Sequence, residues 1–137
     1  MVTVTGTKGN PVQVEVLGIN EVMRMLQAKG QQITAGADFG VVRAGTYIQE
    51  EVKESIMGNR AEHKSVDTGR FANSVEFIKT GKIQGKVESQ VPYAQHLEYG
   101  TSRIAPRRHF SNTKTRNETK VKTIIDAEIK GKMLKNI

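Results

Sequence analysis

Between Val91 and Phe110 the chain reads VPYAQHLEYGTSRIAPRRHF. The stretch gathers His96 and His109, Glu98, Tyr93 and Tyr99, Thr101, Ser102 and the arginines 103, 107 and 108. Each of these side chains can donate, accept or hold a proton, so the first question is whether they form a catalytic centre. Their spacing argues against it. His96 and Glu98 stand two apart, which sets them on different sides of a helix; the helical neighbours of His96 are Pro92, Tyr93, Tyr99 and Gly100. No paired carboxylates, no H-E-x-x-H and no nucleophile elbow occur. A histidine beside a short helix is more often a surface or packing residue than a base. Gly100-Thr101-Ser102 lacks both the glycine spacing and the lysine of a phosphate-binding loop. With three histidines and no cysteine, neither a metal site nor a disulfide is expected. The residues therefore predict no catalytic group, no metal and no cofactor. A small hydrolase built from histidines distant in sequence is the enzyme reading that stands beside this one.

Charge supplies a second kind of chemistry. The net charge is +7, yet residues 1–100 carry 11 basic and 11 acidic side chains. The excess lies wholly in residues 101–137, with 10 basic side chains against Glu118, Asp126 and Glu128. A one-sided charge of this kind suits a polyanion or an acidic protein surface. Lys114, Arg116, Lys120 and Lys122 are the candidate polyanion contacts. A solvated helix face explains the same residues equally well. Three tyrosines, four phenylalanines and no tryptophan give no stacking platform for single strands, and no helix-turn-helix or zinc finger is present. Contact with nucleic acid would thus be through backbone phosphate, without reading of bases.

The elements that must position these residues follow from periodicity. Val2 and Val4, then Val12, Val14 and Val16, alternate around Gly6, Gly9, Asn10 and Pro11, which predicts a β-hairpin. Ile19, Val22, Met23 and Leu26 change to helical spacing, between Asn20 as a cap and Gly30 as a stop. A long helix from about Asp38 to Met57 carries the stripe Val41, Ala44, Ile48, Val52 and Ile56, with Gly58 after it; Gly45 within it offers room for a neighbouring backbone. Residues 58–70 are polar and aperiodic and predict a mobile loop. Val75, Phe77, Val87 and Val91 return to strand character about a turn near Thr80-Gly81. Pro92 opens a short helix to Tyr99, and a final helix runs from near Ser111, with its apolar residues Val121, Ile124, Ile125 and Ile129 confined to the second half. The order predicts a single α+β domain over residues 1–137. Its sheet is mostly antiparallel, with a long helix and a C-terminal helix packed on one face. No apolar run reaches the roughly 20 residues that span a bilayer, and no signal peptide opens the chain.

Thr68-Gly69-Arg70, Ser74, Tyr93-Ala94, Glu98, Gly100-Thr101-Ser102, Pro106-Arg107 and Phe110, in this order and followed by a charged helix, form a larger pattern. It resembles the head–tail joining, tail-completion or neck proteins of long-tailed double-stranded DNA phages, of the Hong Kong phage tail-component type. The resemblance runs from Thr68 towards the C-terminus and extends to the long helix in front. The family's arginine-proline-phenylalanine segment stands here as APRRHF, with Arg108 and His109 ahead of Phe110. The resemblance implies a structural virion protein, not an enzyme, that forms a hexameric or dodecameric ring at the head–tail junction or tail end. Its partners would be further copies of itself and other connector or tail proteins, with non-specific contact to genomic DNA and none to a membrane. Its place would be the tail or neck of the virion, after assembly in the host cytoplasm. The motif or interface residues implied are Thr68, Gly69, Arg70, Tyr93, Glu98, Gly100, Thr101, Ser102, Arg107 and Phe110.

Physical roles can be set against several of these. Gly100 would cap the short helix in the left-handed conformation. Glu98 would accept hydrogen bonds from backbone, or form a bidentate pair with Arg70 or Arg107 that holds the T-G-R segment against the E-Y-G-T-S turn. A ring needs a head-to-tail interface that closes by rotation. The polar 58–70 loop and the start of the last helix are the surfaces expected to supply it.

Overall fold

A computed structural model describes residues 2–5, 12–17, 31–65 and 69–134. Strands β1 (Val2–Thr5) and β2 (Val12–Leu17) pair antiparallel with Val2 opposite Val16 and Val4 opposite Val14, the pairing that the alternating valines call for. The expected turn residues from Gly6 to Pro11, and the helix expected from Ile19 to Gly30, lie outside the described residues. Helix α1 (Gln31–Ile56) begins about two turns before Asp38. Its stripe starts with a small residue, Ala37, ahead of Val41, Ala44, Ile48, Val52 and Ile56, all buried. The short helix α2 (Arg70–Ser74) follows, an element not expected between the 58–70 loop and the strand after it. Strands β3 (Glu76–Gly81) and β4 (Gln84–Ser89) form the second hairpin, and α3 (Ala94–Tyr99) leads to the last helix, α4 (His109–Leu134).

The fold is α+β. The four strands lie in the order β1-β2-β4-β3, every pair antiparallel. Val12 and Val14 of β2 and Val87 of β4 point into the core. There they meet α1, which lies on β2, β3 and β4, and α4, which lies on β1 and β2. The two helices run antiparallel, with Gly40 beside Ile125 at one end and Ser55 beside His109 at the other. A side chain at Gly40 would sit 3.0 Å from the Ile125 Cα, so here the helices approach at backbone distance. Gly45 serves another purpose than the one expected. Its missing side chain is replaced by the ring of Phe77 from β3, which would lie 2.3 Å from a Cβ there and 2.4 Å from one at Gly85. The glycines thus form a slot for a ring.

Candidate functional site

The residues singled out in the sequence converge where α2, α3 and the 101–108 loop meet the N-terminus of α4. Phe110 is fully buried in the core, which anchors the start of the helix. The first N–H groups of any helix have no partner within it. Here Glu98 supplies one from α3: its carboxylate accepts from the backbone N–H of Phe110 at 2.8 Å and of Ser111 at 3.0 Å, and from the Ser111 hydroxyl. A carboxylate at this position is also favoured by the helix dipole. Glu98 is thus an anchor for backbone, as its position suggested, and the arginine pair expected of it is made elsewhere.

Arg107 turns the other way. Its backbone N–H donates to Leu97 O at 2.7 Å, and its Nη1 donates to Lys64 O at 3.0 Å and to Ser65 Oγ at 2.7 Å. Of the two adjacent arginines it is the inward one; Arg108 is exposed, with φ of 55° immediately before α4. The bidentate arginine–carboxylate pair joins Arg116 of α4 to Glu62, with Nη1–Oε2 and Nη2–Oε1 both at 3.0 Å. Glu62 also accepts from Ser55 Oγ at 2.6 Å and Asn112 Nδ2 at 3.1 Å. Burial alone would raise the Glu62 pKa. The Arg116, Ser55 and Asn112 hydrogen bonds outweigh it and hold the carboxyl at about 2.

His109, the first residue of α4, is fully buried between two serines: Nδ1 lies 2.8 Å from Ser55 Oγ and Nε2 2.7 Å from Ser65 Oγ. The proton positions follow from the ends of the chain. Arg107 can only donate and ionised Glu62 can only accept. Ser55 therefore gives its proton to Glu62 and accepts from His109 Nδ1–H, while Ser65 accepts from Arg107 and gives its proton to Nε2. The imidazole is neutral, protonated on Nδ1. Burial pushes its pKa down to about 4, against the opposing pull of Glu62. A serine–histidine–carboxylate series invites comparison with a hydrolase, but a second serine separates the ring from the carboxylate. The imidazole is a weak base at neutral pH and is packed edge-on against Phe71 at 6.0 Å. What the chain does is clasp residues 59–65 to both long helices. The sequence expected a mobile loop over 58–70; residues 59–65 are held by these bonds and by Arg60 to Glu51, and residues 66–68 lie outside the described residues.

The remaining motif residues build the same joint. Thr68 lies outside the described residues. Gly69 precedes α2 with φ of 81°, and Arg70 opens that helix, exposed. The tie between this segment and the 93–110 stretch is aromatic: Phe71 meets the Tyr93 ring edge-to-face at 5.8 Å and His109 on another side. Ser74 bonds Phe71 O and Ser89 Oγ, each at 2.6 Å. Gly100 closes α3 through its N–H to His96 O, but its φ of 79° and ψ of 170° differ from the left-handed helical cap expected. This is an extended conformation open essentially to glycine alone. Thr101 Oγ1 accepts from the N–H groups of Arg103 and Ile104, which shapes a tight turn with Ser102 exposed at its tip. Three of the four candidate polyanion contacts are engaged within the molecule: Lys114 with Glu118 at 3.5 Å, Arg116 with Glu62, and Lys120 5.9 Å from the Tyr47 ring centre. Lys122 is exposed.

Sequence reasoning missed Ser55, Glu62, Ser65 and Phe71, and it named His109 without finding its burial or its partners. One signal was present. His109, Thr113, Asn117 and Val121 recur at four-residue spacing and are all buried, so the stripe of α4 does run to its start, in polar residues that hydropathy does not register. Among the described residues no group of three or more histidines and carboxylates could hold a metal, and no helix is long and apolar enough to cross a membrane. Compared with family models, curated proteins and solved structures, the chain gave no match.

Proposed function

We propose that this chain is a structural subunit of a long-tailed phage, forming a ring at the head–tail junction or tail end and joining other connector or tail proteins. The observation that carries the reading is how the motif residues are used. Glu98, Gly100, Thr101, Arg107 and Phe110 meet where α3 and the 101–108 loop join α4, and Phe71, which stands between Gly69 and Ser74, packs on Tyr93 and His109 there. Their polar atoms go to backbone and neighbouring serines, which is the use expected of a scaffold. The exposed side chains at that joint, Tyr93, Tyr99 and Ile104, are of the kind that anchor interfaces. The same allocation supports a non-catalytic role. The rival reading, a DNA-contacting accessory protein, loses one of its four cations, because Arg116 is held in a bidentate pair by Glu62 within the subunit.

The test is assembly. Sedimentation over a wide concentration range should show subunits when dilute, and negative-stain images of concentrated protein should show annular particles. A tight dimer closed by two-fold symmetry and unchanged by dilution would overturn the proposal.

A further inference from the structure

Between residues 61–63 and residues 103–107 lies an open pocket of about 550 Å³. Its charges are not what its composition suggests. Glu62 lines it, but both oxygens of that carboxylate are taken by Arg116, Ser55 and Asn112, so its charge is met from behind. Two guanidinium groups remain. Arg107 is held in place through Nη1 alone. Arg103 is exposed, and no hydrogen bond or ion pair engages its side chain among the described residues. His63 also lines the pocket, its Nδ1 donating to Lys64 O at 2.9 Å. The wall beside the arginines is apolar, made by Ile104 (38% exposed), Ala105 and Pro106.

The geometry points to a docking site for an acidic peptide segment of a partner protein, with a carboxylate between Arg103 and Arg107 and a neighbouring apolar side chain against Ile104 and Pro106. Arginines present a rigid fork matched to carboxylate. The pre-set Arg107 and the tight 101–104 turn reduce the ordering that binding would otherwise require. Nucleic acid fits less well, because a sugar–phosphate backbone gives the apolar wall nothing to cover and the opening is concave. The site rests on the assembly reading only for the partner's being another virion protein; the pocket's charge and shape stand without it.

A fluorescein-labelled peptide alternating leucine and glutamate, titrated with the intact protein, tests the site. Arg103→Gln should weaken binding about tenfold, the loss of one charge-assisted pair. Ile104→Ala should weaken it about threefold, and Lys122→Gln, a cation away from the pocket, should leave it unchanged. Thermal melts of these exposed variants should match the unaltered protein. A duplex DNA oligomer should not displace the peptide. No binding at millimolar peptide, equal affinity in Arg103→Gln, an equal loss in Lys122→Gln, or displacement by DNA would each overturn the site. Annular particles together with unchanged affinity in Arg103→Gln would sink the docking site and leave the ring. A tenfold loss with no annular particles under any condition would do the reverse.

Discussion

The two ends of the α1–α4 helix pair are joined by different means. Toward Gly40 the pair closes mainly on small and aliphatic groups, with the backbone of Ile125 set against a missing side chain, Val121 and Ile125 buried, and an ion pair of Arg43 with Glu128 only at the solvent edge. Toward Ser55 it closes on Glu62, His109, Arg116 and two serines. Tyr47 marks the boundary, donating its hydroxyl to Asn117 Oδ1 at 3.1 Å. The aliphatic end is non-directional, and removal of a methyl group costs only the lost burial and the cavity. The polar end is directional, and removal of one partner leaves a desolvated group facing nothing. The fold is therefore most brittle at the joint that holds the pocket.

One substitution at each end separates the two kinds of joint. Arg116→Ala leaves the Glu62 carboxylate buried without its counter-charge and should cost about 3 kcal/mol. Val121→Ala at the aliphatic end should cost about 1–2 kcal/mol. Urea unfolding midpoints at one pH compare the two. An Arg116→Ala loss below that of Val121→Ala would mean the clasp adds little.

Acid should loosen the polar end first. His109 has a folded pKa of about 4, below its ordinary 6.5, so the unfolded chain binds the proton more readily. The contribution is whole above pH 6.5 and is lost as the pH falls through 4. It amounts to on the order of 3 kcal/mol. Glu62, held at about 2 from an ordinary 4.5, loses its contribution over the lower window between those values. Thermal melts from pH 7.5 to 4 should therefore fall steeply, and His109→Gln should flatten the decline while lowering stability at pH 7.5. An identical slope in both proteins would remove His109 as its source.

The aliphatic stripe was legible in sequence and the polar clasp was not, for a physical reason. Val41, Ala44, Ile48 and Val52 announce a buried face because burial favours apolar side chains wherever no partner is supplied. The valine pairs of β1 and β2 read out their register by the same logic. His109, Thr113 and Asn117 are buried at the same helical spacing, but a polar residue is tolerated inside only when a distant segment satisfies it, and that segment is not marked in the local pattern. Glu98 is intermediate. Its place before a turn suggested an anchor for backbone, yet nothing local revealed that the backbone would be the start of α4. Arg107 and Arg116 were both visible as cations; only the fold separates the one that grips a loop from the one that neutralises Glu62.

The joint itself can be tested at two neighbouring positions. Gly100→Val puts a β-branched residue at a φ of 79° and a Cβ within 2.8 Å of Ile104 O and of Pro106 Cδ. Strain alone is about 1–3 kcal/mol, and the clash would push the 104–106 wall out of place. Glu98→Gln keeps the shape but turns one accepting oxygen into an NH2, so the N–H of Phe110 or of Ser111 loses its acceptor, about 1–2 kcal/mol. Thermal melts should rank Gly100→Val as the more damaging. A Gly100→Val protein as stable as the unaltered one would refute the backbone conformation assigned here.

The smallest effect carries a change of sign. Among the described residues nothing lies within 4 Å of a Cβ placed at Gly131 in α4, so alanine there gains helix propensity without a clash. Gly131→Ala should stabilise by up to about 0.5 kcal/mol, since the site is close to the helix end. Gly45→Ala makes the same change within α1, where propensity argues for the same gain or more. There the new Cβ would overlap the Phe77 ring at 2.3 Å, and a ring also confined by Gly85 cannot step aside without leaving its slot. Overpacking of this kind costs about 1–3 kcal/mol, which outweighs the propensity gain and reverses the sign. Chemical denaturation of the two variants gives the comparison directly. Stabilisation at both positions would show that Phe77 is free to move and that the glycine slot has no part in setting β3 against α1.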